Sequence, residues 1–140
     1  MTVTWDQGPI DAKMREAALR AVVAGVEAIV TEGTRLIASP PKTGRIYTRR
    51  GIKHQASAPG QPPATDTGML MASGKGIYPD QQGLFTVTGW ANWSTAYARF
   101  LELGTEKMAP RPYARPALDT CAPVFIAALA GELRVNGGGR

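Results

Sequence analysis

Ile10, Met14, Ala18, Val22, Val26 and Val30 recur every four residues, and Ala17, Ala21 and Ile29 widen the apolar stripe they form. That is the spacing of one helical face. Asp11, Lys13, Glu16, Arg20 and Glu27 fall mostly on other faces. Gly8-Pro9 suits the Ncap and N1 positions, since the N–H that proline lacks has no partner there. Gly25 and Gly33 weaken the helix locally. Ser39-Pro40-Pro41 ends it, because a residue before proline avoids the helical region. The pattern predicts one long helix that needs a sheet or a neighbouring subunit to cover its stripe.

A different period follows Asp66-Thr67-Gly68. The stretches MLMASGKGIY and GLFTVTGW read as two strands joined by the turn PDQQ. Phe85, Val87 and Gly89 alternate with Leu84, Thr86, Thr88 and Trp90, the period-two pattern of a sheet covered on one face. In TAYARFLELG, Tyr97, Phe100, Leu101 and Leu103 return to helical spacing, and Gly104 stands where a C-cap is expected. A last helix is predicted from about Pro112 to Leu133. Its apolar positions are Leu118, Cys121, Val124 or Phe125, Leu129 and Leu133, with Pro116 in its first turns and Pro123 as a kink. The tail NGGGR is expected to fray. The fold class is α+β: a long N-terminal helix, an arm, a small antiparallel sheet, a short helix and a C-terminal helix, in a single domain over residues 1–140.

The arm, residues 40–68, contains five prolines and four glycines, which exclude a long helix, while RIYT suits a short strand. Either it is a solvated loop, or it orders on assembly with its cations toward nucleic acid or an acidic partner. Charge singles out the same region. Between Gly33 and Thr65 lie six cations, Arg35, Lys42, Arg45, Arg49, Arg50 and Lys53, and no carboxylate. The formal charge of the whole chain is +5, so the excess belongs to this segment. Lys42, Arg45, Arg49, Arg50 and Lys53 are the candidate DNA-facing residues. Contact of that kind is nonspecific phosphate screening, since Tyr47 is the one aromatic among them and no helix-turn-helix or zinc-finger spacing occurs.

Catalytic chemistry is thinly represented. His54 is the single histidine and Cys121 the single cysteine, which leaves no zinc-ligand spacing and no internal disulfide. Cys121 falls on the apolar side of its helix, where a buried structural thiol is expected, and a lone cysteine fits a reducing compartment. A His54/Ser57 pairing lacks an evident orienting carboxylate. Glu102 and Glu106, four residues apart, read as an ion-paired helix end beside Arg99 and Lys107. GKG at 74–76 lacks the rest of a phosphate loop. The expectation is no enzyme, no cofactor and no metal. An acidic, proline-containing N-terminus unlike a signal peptide and no apolar run of membrane-spanning length give an expected cytosolic synthesis.

Three stretches, GRIYTRRG (44–51), SAPGQPPATDTGML (57–70) and YARFLELGTEKMAPRPYARPAL (97–118), taken in that order, resemble the small head–tail joining proteins of tailed double-stranded DNA bacteriophages, also called neck or tail completion proteins. The shared pattern is carried by Tyr97, Ala98, Glu102, Gly104, Thr105, Lys107, Met108, Arg111, Pro112, Tyr113, Pro116 and Ala117. Leu103 stands where the family more often has an aromatic, and Gln61 where an acidic residue is common. The resemblance implies a structural virion protein, made in the host cytoplasm, that forms a homo-oligomeric, typically hexameric, ring through whose lumen the genome passes. The implied partners are the tail tube protein and a head-side neck, stopper or connector protein. Arg45, Arg49, Arg50, Lys53, Glu102, Glu106, Arg111 and Arg115 are then candidate interface residues, with Arg111 or Arg115 bridging to Glu102 or Glu106 of a neighbouring subunit. A small basic, nonspecific DNA-binding protein is the alternative.

Overall fold

The computed structural model describes residues 2–4, 12–39, 41–78 and 86–137. Its elements in chain order are β1 (Thr2–Thr4), α1 (Ala12–Ala38), β2 (Ile46–Arg49), β3 (Ile52–Gln55), α2 (Met69–Ala72), β4 (Gly74–Ile77), β5 (Thr86–Thr88), β6 (Trp90–Trp93), α3 (Ala98–Leu103) and α4 (Ala114–Gly137). This is the α+β class with the long first helix and long last helix expected. The expected helix start at Gly8-Pro9, the turn PDQQ, Leu84, Phe85 and the last three residues of the tail lie outside the described residues. Asn136 and Gly137 of that tail are helical.

The stripe of α1 is covered chiefly by α4 rather than by a sheet. Ala17, Ala21, Val22, Val26, Ile29 and Ile37 are buried on α1, as are Ala117, Cys121 and Phe125 on α4. The two helices run antiparallel, with Arg20 near one end of α1 bonded to Glu132 near the far end of α4. The buried set follows three- and four-residue steps. A strict four-residue step drifts around the helix, and Val30 accordingly lies only half-buried. Phe125, not Val124, takes the buried position on α4, and Val124 is 67% exposed. Pro123 stands inside α4, where it removes one backbone donor from the ladder.

Gly25 and Gly33 have a use that helix propensity does not reveal. A Cβ on Gly25 would lie 2.4 Å from the Phe125 ring, and one on Gly33 would lie 2.5 Å from the Trp93 ring. They are slots for aromatic rings on the core face of α1. The same close approach explains why α1 keeps two residues of poor helix propensity.

The sheet region departs from expectation. MLMA is the short helix α2, not strand. The two predicted strands meet at the single pair Ile77↔Trp90: β4 pairs antiparallel with β6, from Gly74↔Trp93 to Ile77↔Trp90, mostly beyond the second predicted strand. β5 pairs with β1, a strand that the residue pattern does not predict. Among the described residues there are three separate two-stranded ladders instead of one small sheet. Alternation nonetheless holds through β5, where Val87 and Gly89 are buried while Thr86 and Thr88 are half-buried. Trp93 is 8% exposed and stands edge-on to Tyr113, with ring centroids 5.1 Å apart.

α4 also corrects the expectation about apolar runs. Its segment Ala114–Arg134, 21 residues, contains an 18-residue window of mean hydropathy 1.3, enough by length and composition to cross a membrane. Part of that apolar character lies against α1, through Ala117, Cys121 and Phe125.

The packing sets a paired test. Gly33→Ala is expected to destabilise the fold by about 1–3 kcal/mol, since the methyl overpacks against Trp93 and outweighs the propensity gain. Gly131→Ala, where nothing lies within 4 Å of the added Cβ, is expected to stabilise by about 0.5–1 kcal/mol. Urea unfolding of both variants checks this. Equal shifts in one direction would mean that Trp93 yields and the slot is not a constraint.

Candidate functional site: the arm and the proline-rich corner

The arm is a built hairpin. Ile46↔Gln55, Tyr47↔His54, Thr48↔Lys53 and Arg49↔Ile52 face each other across β2 and β3. Arg50 at φ 52° and Gly51 at φ 78° form the two-residue turn between them, the left-handed pair that matches the twist of a hairpin. Glycine tolerates that region freely, whereas arginine is strained in it. RIYT is thus a strand, as expected. Its partner IKHQ is hard to read from sequence, because alternation over four residues is too short to register and Arg-Gly is a weak turn signal.

Behind the hairpin the chain closes on itself. Gly44 N–H donates to Ala56 O at 2.9 Å and Ala56 N–H to Arg45 O at 3.0 Å, extending the ladder. Gln61 Oε1 accepts from Thr43 N at 3.0 Å and from Ala58 N at 2.9 Å. The Gln61 amide oxygen thereby ties Thr43 to Ala58 across the loop. The arm then meets the corner: Gly60 N–H donates to Pro110 O at 3.0 Å, and Arg111 Nη1 donates to the buried Ser57 hydroxyl at 2.6 Å.

The corner itself is organised by Glu102. Its carboxylate accepts from the backbone N–H groups of Tyr113 at 2.9 Å, Ala114 at 3.0 Å and Arg115 at 2.8 Å. These are orphan donors at the start of α4, and a carboxylate there also meets the positive end of the helix dipole. α3 stops at Gly104, φ 77°, whose N–H donates to Phe100 O. Thr105 and Met108 then close a tight turn through paired backbone bonds of 2.8 and 3.2 Å, and Arg111 N–H donates to Leu101 O at 2.7 Å. Tyr113 is 2% exposed, and burial, with the Glu102 charge nearby, pushes its phenol well above the ordinary range.

The candidate residues therefore divide. Glu102 is engaged inside its own chain rather than with Arg99 or Lys107, while Glu106 is exposed in the turn. Arg115 pairs with Asp119 one helical turn along, an exposed pair of little energetic weight. Lys42 donates to Leu36 O at 2.9 Å near the end of α1, and burial lowers its pKa. Arg49 is ion-paired with Asp66. Arg45, Arg50 and Lys53 are exposed on the hairpin. His54 stacks on Tyr47 at 5.6 Å, and its Nδ1 lies 3.5 Å from Asp66 Oδ1, a carboxylate that sequence spacing alone does not bring to it. Ser57 gives no sign of nucleophilic use, being 1% exposed with its hydroxyl held by Arg111. Cys121 is buried, and burial raises its thiol pKa, away from reactivity. Among the described residues no cluster of three or more His, Cys, Asp or Glu side chains has the geometry of a metal site.

Scans against protein-family models, curated proteins and solved structures return no match for this chain.

Glu102 provides the test of the corner. Glu102→Ala is expected to cost about 2 kcal/mol, the scale of a lost helix cap with charge-assisted hydrogen bonds, and Glu102→Gln about half that. Glu106→Ala is expected to change stability by no more than about 0.5 kcal/mol. Chemical denaturation distinguishes them, and equal effects of the two alanine variants would remove Glu102 from its capping role.

Proposed function

We propose that the chain is a structural subunit of the head–tail junction of a tailed bacteriophage, forming a ring that completes the tail and joins it to the DNA-filled head. The observation that carries this reading is the set of exposed apolar side chains on three different elements. Ile46 and Ile52 on the hairpin are each 62% exposed, Phe100 and Leu103 on α3 are 54% and 64% exposed, and Val124 and Ile126 on α4 are 67% and 64% exposed. Single exposed apolar residues are ordinary, but Phe100 and Leu103, three residues apart on one helical face, make a pair of the kind that meets another protein. A ring subunit needs at least two unlike faces, since each copy meets its neighbours head to tail. Further copies of the chain, a tail tube protein and a head-side neck or connector protein are the partners in this reading.

The hairpin tip adds to it. A left-handed arginine costs about 1 kcal/mol or more relative to a residue suited to the position, and strain of this kind concentrates at functional sites. Arg50 at the apex supports the arm as a contact element in assembly. The second reading, nonspecific DNA contact, is favoured by the exposed trio Arg45, Arg50 and Lys53. Lys42 and Arg49 add less to it, being occupied within the chain.

Imaging particles produced without the protein tests the proposal: filled heads beside separate, finished tails are expected. Intact particles, or missing tails, would overturn it. Arg50→Asn is expected to stabilise the free chain by about 0.5–1 kcal/mol while lowering the yield of joined particles. The DNA reading instead expects Arg45→Ala, Arg50→Ala and Lys53→Ala together to abolish a steeply salt-dependent duplex affinity while particle joining is unaffected.

A further inference from the structure

Two concavities meet at the seam between the hairpin and the corner. One, of about 360 Å³, has Ile37, Leu70, Met71 and Leu101 in its wall. The other, more open, of about 840 Å³, runs past Gly44 and Pro59. Both are bordered by Tyr47, Ala56, Ser57 and Arg111.

Arg111 is the group whose chemistry the chain leaves incomplete. Its Nη1 donates to Ser57 Oγ, but its Nε is buried and has no acceptor among the described residues. Among the same residues, no carboxylate pairs with its guanidinium. A half-buried guanidinium with no counter-charge is unfavourable on its own, and where it borders the two cavities it favours an anionic acceptor. Asp66 also borders the smaller cavity, but it is engaged by Arg49 and lies beside His54. Arg45 at the open cavity is likewise outside the ion pairs but is exposed, so Arg111 is the half-buried cation of the seam without a counter-charge among the described residues. A planar guanidinium selects carboxylate by its fork of donors.

We propose that this seam binds an extended segment of a partner protein chain carrying a carboxylate beside an apolar side chain. The carboxylate docks on Arg111 and the apolar side chain fills the smaller cavity. The apolar wall next to the half-buried Arg111 sets that combination, and the junction of two concavities at Arg111 suits a chain that continues past its anchor better than a compact molecule. The proposal is independent of ring formation, and its test needs no particles.

The test titrates the full chain, followed by NMR, with acetyl-Leu-Asp-Leu-amide, with its Asn counterpart and with sodium acetate. The Asp peptide is expected to shift the Arg111 Nε–H and the Ser57 and Leu101 amides saturably, and the Asn peptide to bind at least about tenfold more weakly. Arg111→Met is expected to abolish the shifts at Ser57 and Leu101 in a chain that still folds, with a midpoint lowered by the lost Ser57 bond, and Arg111→Lys to weaken binding while keeping the charge. No shifts, equal binding of the two peptides, or acetate matching the Asp peptide would each overturn the proposal. A purely internal role for Arg111 gives the contrary pattern, a lower midpoint for Arg111→Met with no response of the unsubstituted chain to either peptide.

Discussion

The approach of two aromatic rings to the bare backbone of α1 is the constraint on which the remaining packing rests. Phe125 enters at Gly25 and fixes how α4 lies on α1, while Trp93 enters at Gly33 and brings β6 to the same helix. Trp93 also closes on Gly74 of the paired strand β4 and stands edge-on to Tyr113 at the start of α4. One side chain therefore touches the long helix, a ladder and the corner. Its indole N–H is buried without an acceptor among the described residues, so shape and apolar burial, rather than a hydrogen bond, hold it there. Burying a large side chain contributes about 1.5–3 kcal/mol, and here that gain is available only if glycine leaves the room.

With α1 and α4 docked, the proline-rich corner must turn the chain from α3 into α4 within ten residues and leave no helix donor unmet. Proline restricts the available conformations, but it supplies no hydrogen bonds for the start of α4. Glu102 meets that need from the preceding helix, across a turn closed by Thr105 and Met108. The corner then offers Pro110 O and the Arg111 side chain outward, and the arm fastens to both. The arm's position is in this sense a consequence of the cap, because Arg111 is held where Leu101 O receives its N–H.

The helices are legible in the sequence because period and punctuation agree: an apolar stripe before Ser39-Pro40-Pro41, and Gly104 after a short apolar run. What is not legible depends on partners remote in sequence. Gly25 and Gly33 look like flaws until Phe125 and Trp93 are placed against them. Glu102 looks like half of a surface carboxylate pair until the corner brings the α4 N-terminus to it. The ladder partners of β4 and β5 escape the pattern for a related reason. Strands of three and four residues carry too little alternation to specify whom they pair with, and tertiary position decides. Within the candidate site, composition finds the cations, but their division into structural and exposed groups needs coordinates: Lys42 and Arg49 are occupied, whereas Arg45, Arg50 and Lys53 are exposed.

That division bears on what the sequence motif means. Glu102, Gly104, Thr105, Arg111, Tyr113 and Ala117 carry much of the resemblance to head–tail joining proteins, and each serves the fold of its own chain. They cap a helix, end one, close a turn, hold the arm, and fill the core. A motif composed of such residues describes a corner, and any chain needing the same turn between two helices has reason to use it. The surfaces on which assembly would depend lie mostly elsewhere, at Ile46, Arg50 and Ile52 on the hairpin, Phe100 and Leu103 on α3, and Val124 and Ile126 on α4. Those positions are largely exposed, so their own fold constrains them less than it constrains the corner. Arg111 joins the two sets, since its Nη1 completes the internal scaffold while its Nε finds no acceptor among the described residues of the chain that positions it.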